Sequence, residues 1–217
     1  MTPLRLNKAH FPVTVLGPGR RVGIWFQGCS IGCPGCVSQD TWSHDGGGQT
    51  TVEAILGWCV STFDKSGFDG ITISGGEPFE QVQALMTLLR GLNAWRTANN
   101  LDFDILCYSG LPLKKLREHH GEILPLLDVL IAEPYVNKFQ KSLTWRGSSN
   151  QPLVSLSERG QTIVERVPEI PADKRFQLNV CDGSIWLIGI PERGDMQRLE
   201  ALASQRGMTF GGVSWRA

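Results

Sequence analysis

Cys29, Cys33 and Cys36 fall in one short run, Cys29-Ser30-Ile31-Gly32-Cys33-Pro34-Gly35-Cys36, with the spacing Cys-x3-Cys-x2-Cys. A loop of this length can bring its thiolates to one point, and converging thiolates suggest a metal centre. Iron–sulfur clusters are held by cysteine thiolates. A four-iron cube held by only three of them keeps one iron open, where a small molecule could bind and receive an electron. Zinc is the alternative. A structural zinc site almost always takes four protein ligands, so Asp40 or His44 would have to complete the set.

A second run is Ser74-Gly75-Gly76-Glu77-Pro78. Its two glycines let a ligand approach the backbone without a Cβ in the way. Glu77 adds a carboxylate able to accept charge-assisted hydrogen bonds from an ammonium group. Alone, the run would pass for an ordinary strand-to-helix turn with Pro78 at the helix start. A third run, Leu143-Thr144-Trp145-Arg146-Gly147-Ser148-Ser149-Asn150-Gln151, offers one guanidinium, several short polar groups and a glycine.

The cysteine spacing resembles the signature of the radical SAM superfamily. With Gly17-Pro18-Gly19-Arg20, Phe26-Gln27-Gly28-Cys29 and Cys33-Pro34-Gly35-Cys36, the chain more closely resembles the anaerobic ribonucleotide reductase activating enzymes, a glycyl-radical activase family. That resemblance implies a [4Fe–4S] cluster on Cys29, Cys33 and Cys36. It implies S-adenosylmethionine on the open iron, with its amino group at Ser74, Gly75, Gly76, Glu77 and Pro78. Glu133 and Gly189 are expected to make further cofactor contacts, the latter within Ile188-Gly189-Ile190-Pro191, where a small residue between isoleucines suits an adenine face. The implied activity is reductive cleavage of S-adenosylmethionine and hydrogen-atom abstraction, installing a glycyl radical on a partner such as anaerobic ribonucleotide reductase. An electron donor such as flavodoxin or ferredoxin is implied as well. Trp145, Arg146, Ser148 and Asn150 are the expected docking residues. Two positions depart from the family pattern: Ser38 replaces a common Asn, and Ala132-Glu133-Pro134 replaces Asp-Gly-Pro. Glu133 would then stand in for the acid. The other functional readings are a small radical SAM enzyme modifying a peptide or small metabolite, and a non-catalytic zinc- or cluster-binding module.

The elements that must position these residues read as alternating strands and helices. A short strand is expected at 13–16, and a buried strand at 21–27 delivers the chain to the cysteine loop. Thr50 or Thr51 can cap a helix whose apolar face is Val52, Ile55, Leu56, Cys59, Val60 and Phe63, ending at Gly67. Strands follow at 69–74, 101–108 and 127–132, with helices at 79–95 and 113–118 between them. The polar stretch 133–169 reads as a long functional loop with short strands at 153–156 and 162–165. A hairpin pairs 176–181 with 185–190 around Asp182-Gly183-Ser184. A last helix covers 195–206, and 213–215 closes an edge. The alternation predicts an α/β fold, a partial, open βα barrel of about six units of the radical SAM type, too few for a full barrel. Residues 1–217 are read as one domain.

Composition narrows the setting. Lys plus Arg and Asp plus Glu both number 21, so the formal net charge is zero, and neither a nucleic-acid nor a membrane partner is expected. No signal peptide or membrane-span-length apolar run is read. Six cysteines in such a chain argue for metal or redox chemistry in a reducing compartment, so the expected location is the cytoplasm. Cys59, Cys107 and Cys181 lack cluster-like spacing and read as small buried hydrophobes.

Overall fold

A strand buried on both faces reads as a nearly unbroken apolar run, and such runs form the centre of this protein. The computed structural model describes residues 1–169, 176–181 and 184–215. The chain runs β1 (Pro3–Val13), β2 (Arg21–Phe26), β3 (Gly48–Thr51), α1 (Val52–Ser66), β4 (Gly70–Gly75), α2 (Val82–Ala98), β5 (Asp104–Tyr108) and α3 (Leu113–His119). It continues through β6 (Val129–Ile131), β7 (Gln140–Leu143), β8 (Arg146–Ser148), β9 (Leu153–Ser155), α4 (Glu158–Arg166), β10 (Phe176–Cys181), β11 (Ser184–Gly189) and α5 (Asp195–Gln205).

Seven strands form one sheet in the order β3-β1-β2-β4-β5-β6-β9. The run β2-β4-β5-β6 is parallel, and antiparallel strands flank it on both sides. The sheet is open, with β3 and β9 at its edges. Four parallel strands therefore stand where about six βα units were expected. After β6 the chain makes the β7–β8 hairpin and returns as antiparallel β9, which ends the parallel run.

Side-chain alternation divides the parallel strands between two environments. Val22, Ile24 and Phe26 of β2, Ile105 and Cys107 of β5, and Leu130 of β6 pack with α1, α2 and α3. Trp25, Leu106, Val129 and Ile131 face the other side, with Ile188, Tyr108 and Trp145 close by. That second face carries the cavity described below. Thr51 caps α1 by accepting the Ala54 N–H. At the opposite end of the sheet from the cysteine loop, the fully buried Arg21 makes a two-pronged pair with Asp104 and also donates to Thr72, Pro18 and Ile71. A Cβ at Gly70 would overlap that guanidinium, so only glycine fits there.

Several sequence expectations change. Residues 14–16 are not strand; β1 ends at Val13 and occupies most of the N-terminal stretch instead. Residues 162–165, β-branched in part, lie inside α4, because Ser157 caps that helix at the Gly160 N–H and its first turn rests on Asp128. The expected loop between β6 and β9 is an ordered hairpin. Residues 213–215 form no strand. The β10–β11 hairpin is as expected, while Asp182, Gly183 and the Cys181 side chain lie outside the described residues. Among the described residues, no helix is long and apolar enough to cross a membrane.

Candidate functional site

β2 brings the chain to Gly28, whose φ of +100° turns the backbone out of the sheet. There the Gly28 N–H donates to the Thr41 carbonyl (2.8 Å) and the Cys29 N–H to the Trp42 carbonyl (3.0 Å), joining the loop's entrance to its exit. The Cys36 N–H donates to the Cys33 carbonyl (3.0 Å), a tight turn that places Gly35 at φ +84°. All three thiols are free and half-buried. Burial raises each of their pKa values, and Cys36 is raised further by the neighbouring Cys33 and Cys29. The Ser38 N–H, 3.4 Å from the Cys36 sulfur, and the Trp42 side chain act the other way. Half-desolvated thiolates with carboxylates nearby are stabilised by a bound cationic centre.

Both candidates for the fourth ligand that zinc would require are engaged elsewhere. Asp40 pairs with Lys8 at 3.3 Å, and His44 Nε2 lies 2.8 Å from Glu80 Oε2. Among the described residues, no three His, Cys, Asp or Glu side chains close around a single ion. The three thiols are neighbours on one loop, and the convergence on a single point expected from their spacing is not seen among the described residues.

β4 lies beside β2 with Phe26 opposite Gly75, so the second run emerges against the cysteine loop. The Gly76 N–H donates to the Phe26 carbonyl and the Glu77 N–H to the Gly28 carbonyl, both at 2.8 Å. A Cβ on Gly75 would overlap Phe26 backbone, and one on Gly76 would overlap Gly28 backbone. The glycines thus admit the loop itself at close range. Pro78 is buried and starts a 3-10 turn, Pro78–Gln81. Glu77 is 1% exposed. Its carboxylate accepts from the Phe79 N–H (3.0 Å), the Ser109 hydroxyl (2.9 Å) and the Gly110 N–H (2.7 Å). Burial outweighs these bonds and pushes its pKa up to about 7. Oε1 accepts two of the bonds and Oε2 one, so Oε2 keeps a lone pair for another donor.

A cavity of about 200 Å³, open to solvent, lies on this face. Cys36 and Ser38 form one wall, and Ser74 and Gly75 another. Gly189, at φ +131°, adds a third with its isoleucine neighbours and Pro191. Tyr108, Tyr135 and Gln151 line it as well, whereas Cys29, Cys33, Gly76, Glu77 and Pro78 are beside it and not in its lining.

A family model for the 4Fe-4S single cluster domain matches residues 15–154. The chain belongs to that family. The anaerobic ribonucleoside-triphosphate reductase-activating protein of Escherichia coli (strain K12) is 30% identical over 148 residues, 65% of this chain and 93% of that protein. The protein of the same name from Vibrio cholerae is 32% identical over 147 residues, 65% of this chain and 92% of that one. The pyruvate formate-lyase-activating enzyme of Clostridium pasteurianum is 40% identical over 89 residues, 40% of this chain and 37% of that enzyme.

Within this 4Fe-4S family member, some expected site residues sit elsewhere. Glu133 does not line the cavity; its carboxylate accepts the Leu113 N–H at 3.0 Å and caps α3. Its φ is +79°, a conformation that favours glycine, and it occupies the glycine position of the Asp-Gly-Pro pattern. Ser148 is fully buried, and its hydroxyl accepts the Val136 N–H at 3.2 Å, so it braces the hairpin and cannot meet a docking partner. Asn150 donates to the Pro134 carbonyl at 2.8 Å, also an internal tie. Trp145 and Arg146 line a separate small hollow of about 60 Å³, which shares Gly147, Ile190 and Pro191 with the main cavity. The Tyr108 hydroxyl holds the hairpin turn there by donating to the Trp145 carbonyl at 2.9 Å.

The structure also adds residues that carried no signal in the sequence. Tyr135 lies between Gly35 of the cysteine loop and Gly147 of β8. Ser214 clamps the loop from far along the chain: its carbonyl accepts the Gln39 N–H and its hydroxyl donates to the Val37 carbonyl, both at 2.8 Å. The family match stops at residue 154, yet residues 187–191 and Ser214 supply a large part of the cavity wall.

Proposed function

We propose that this protein is a radical SAM activase: it cleaves S-adenosylmethionine reductively and abstracts a hydrogen atom, installing a glycyl radical on a partner enzyme. The partner class is a glycyl-radical enzyme such as anaerobic ribonucleotide reductase, after the relatives named as its activating proteins. One observation carries the reading. The Cys29–Cys33–Cys36 loop and the Gly75-Gly76-Glu77 turn leave adjacent parallel strands at the same end and are hydrogen-bonded together beside one cavity.

In this reading Cys29, Cys33 and Cys36 hold a [4Fe–4S] cluster, and S-adenosylmethionine binds in the cavity. When bound, the cluster supplies the electron that breaks the sulfonium bond. The chain's residues orient and shield. Ser74 and Gly75 offer backbone to the methionine end, with Glu77 as the anionic partner of its ammonium. Gly189, between Ile188 and Ile190, offers a flat apolar wall to the adenine. Trp145 and Arg146 stand at the neighbouring hollow, where a partner's glycine segment would dock. The open sheet serves as the partial barrel of the radical SAM type, and residues 1–217 act as one domain, since the C-terminal segment lines the same cavity. Free cysteines suit a cytoplasmic setting, with flavodoxin or ferredoxin as the electron donor.

The test is anaerobic reconstitution followed by three assays: iron and sulfide content, 5′-deoxyadenosine formation under reduction, and glycyl-radical EPR with candidate partners. Cys33→Ala is expected to abolish 5′-deoxyadenosine formation; near-normal cleavage by that variant sinks the assignment. Arg146→Ala and Trp145→Ala are expected to lower partner activation more than uncoupled cleavage. A parallel fall in both would assign the hairpin to the cofactor. A second reading, a small radical SAM enzyme modifying a peptide or small metabolite, is favoured by the cavity wall that residues 187–191 and Ser214 build beyond the family match. It takes over if such a molecule raises 5′-deoxyadenosine formation and no glycyl-radical enzyme does.

A further inference from the structure

The cysteine loop is anchored at a point that neither the thiols nor the Gly75-Gly76-Glu77 turn explains. Glu80 sits in the 3-10 turn just after that turn. Its Oε1 accepts the Ser30 N–H at 2.8 Å, next to Cys29. Its Oε2 accepts the Ser30 hydroxyl at 3.4 Å and lies 2.8 Å from His44 Nε2. His44 follows the last thiol, on the loop's outgoing arm, and its ring fills the space where a Cβ of Gly28 would be. One carboxylate thus meets the loop at two places, just after Cys29 and beyond Cys36. Its side chain is 24% exposed, so the contact is only partly screened by water.

We propose that Glu80 is a positioning residue for the cluster: it fixes the loop to the element bearing Gly75-Gly76-Glu77, and its negative charge beside Cys29 lowers the cluster's reduction potential. The inference rests on the reading that Cys29, Cys33 and Cys36 hold that cluster. Two physical arguments support it. A charge-assisted bond to a backbone N–H holds that amide more firmly than a neutral one. Reduction adds an electron, so a fixed negative charge nearby opposes it, and net charge is one of the factors that set cluster potentials. A strong reductant is what sulfonium cleavage demands, so the charge acts in the useful direction.

Glu80→Gln and Glu80→Ala separate the two roles. Glu80→Gln keeps an acceptor for the Ser30 N–H and removes the charge. Its iron content is expected to match the wild type, while its reduction potential, from an EPR-monitored redox titration, shifts to a more positive value. Glu80→Ala removes the acceptor as well. In the metal-free protein, the Ser30 amide is expected to exchange with solvent roughly tenfold faster or more, the loss of one charge-assisted bond, while the amides of β2 are unchanged. A wild-type chain that takes up no iron–sulfur cluster overturns the cluster reading. A wild-type chain with its cluster, alongside an unshifted Glu80→Gln potential or an unchanged Ser30 exchange rate in Glu80→Ala, overturns the Glu80 inference alone.

Discussion

Glu77 is the most consequential side chain taken singly. Its carboxyl titrates near 7 in the folded protein because burial disfavours the charge more than its hydrogen bonds favour it. In the unfolded chain it would titrate near its ordinary value of 4.5. Between those two values the folded state holds a proton that the unfolded state has released, so stability falls as pH rises from about 4.5 to about 7 and levels off above. The whole change is on the order of 3 kcal/mol. Glu77→Gln is expected to flatten that part of the pH–stability curve in chemical denaturation, and an unchanged slope would mean that the carboxylate is ionised throughout. The same substitution is expected to weaken S-adenosylmethionine binding, because an amide carries no charge for the ammonium. Glu133 gives a second residue-scale expectation. A non-glycine residue in the left-handed region costs roughly 1–2 kcal/mol, and here the α3 cap offsets part of it. Glu133→Ala keeps the strain and loses the cap, so it should be less stable than Glu133→Gly by about 1 kcal/mol in urea unfolding. The sequence showed an acid one place out of register; that its carboxylate turns to α3 depends on backbone torsion, which residue type alone does not disclose.

At the scale of elements, Asp128 ties three of them together. It is 1% exposed, accepts from Arg96 of α2 (2.6 Å) and from the Ile105 N–H of β5 (2.8 Å), and accepts the hydroxyl of Ser157, the cap of α4 (2.6 Å). Removing one partner from a buried, hydrogen-bonded pair typically costs about 3–5 kcal/mol. Asp128→Ala is therefore expected to lower Tm by several degrees or more in a thermal melt and to leave the partly buried Arg96 without its counter-ion. Elements with strong local signals were legible beforehand: α1 through Thr51 and its apolar stripe, and β2 and β4 through their apolar runs. So was the cysteine loop, whose meaning lies in spacing over a few residues. Within α4, residues 162–165 read as strand because Thr162, Ile163 and Val164 favour it locally, while the Ser157 cap and the fit of Gly160 onto Asp128 decide in favour of helix. Glu80, Tyr135 and Ser214 escaped notice for a related reason: each gains its role from a contact with a distant stretch of chain.

Across the whole molecule, the parallel strands carry the main core on one face, while the cavity on the other is closed by pieces from far apart in the chain. Gln177 of β10 accepts the Thr14 N–H at 2.9 Å, and Ser214 bonds to Val37 and Gln39 beside Cys36. These closures involve few bonds over long sequence separations, whereas β2 and β4 are zipped along their whole length. Regions with few buried contacts open locally at lower free energy than the core does. The Ser214 clamp is thus a low-energy breathing point, able to part while the sheet stays intact. Hydrogen exchange should find the Gln39 amide unprotected well before the Ile24 amide, and Ser214→Ala should widen that gap without moving the global unfolding midpoint by more than about 1 kcal/mol. If the two amides exchange together, the clamp belongs to the same cooperative unit as the core. If they separate, the C-terminal segment moves independently of the sheet, and the wall that Ser214 lends the cavity beside Cys36 opens at a rate set by its own few bonds rather than by the overall stability of the fold.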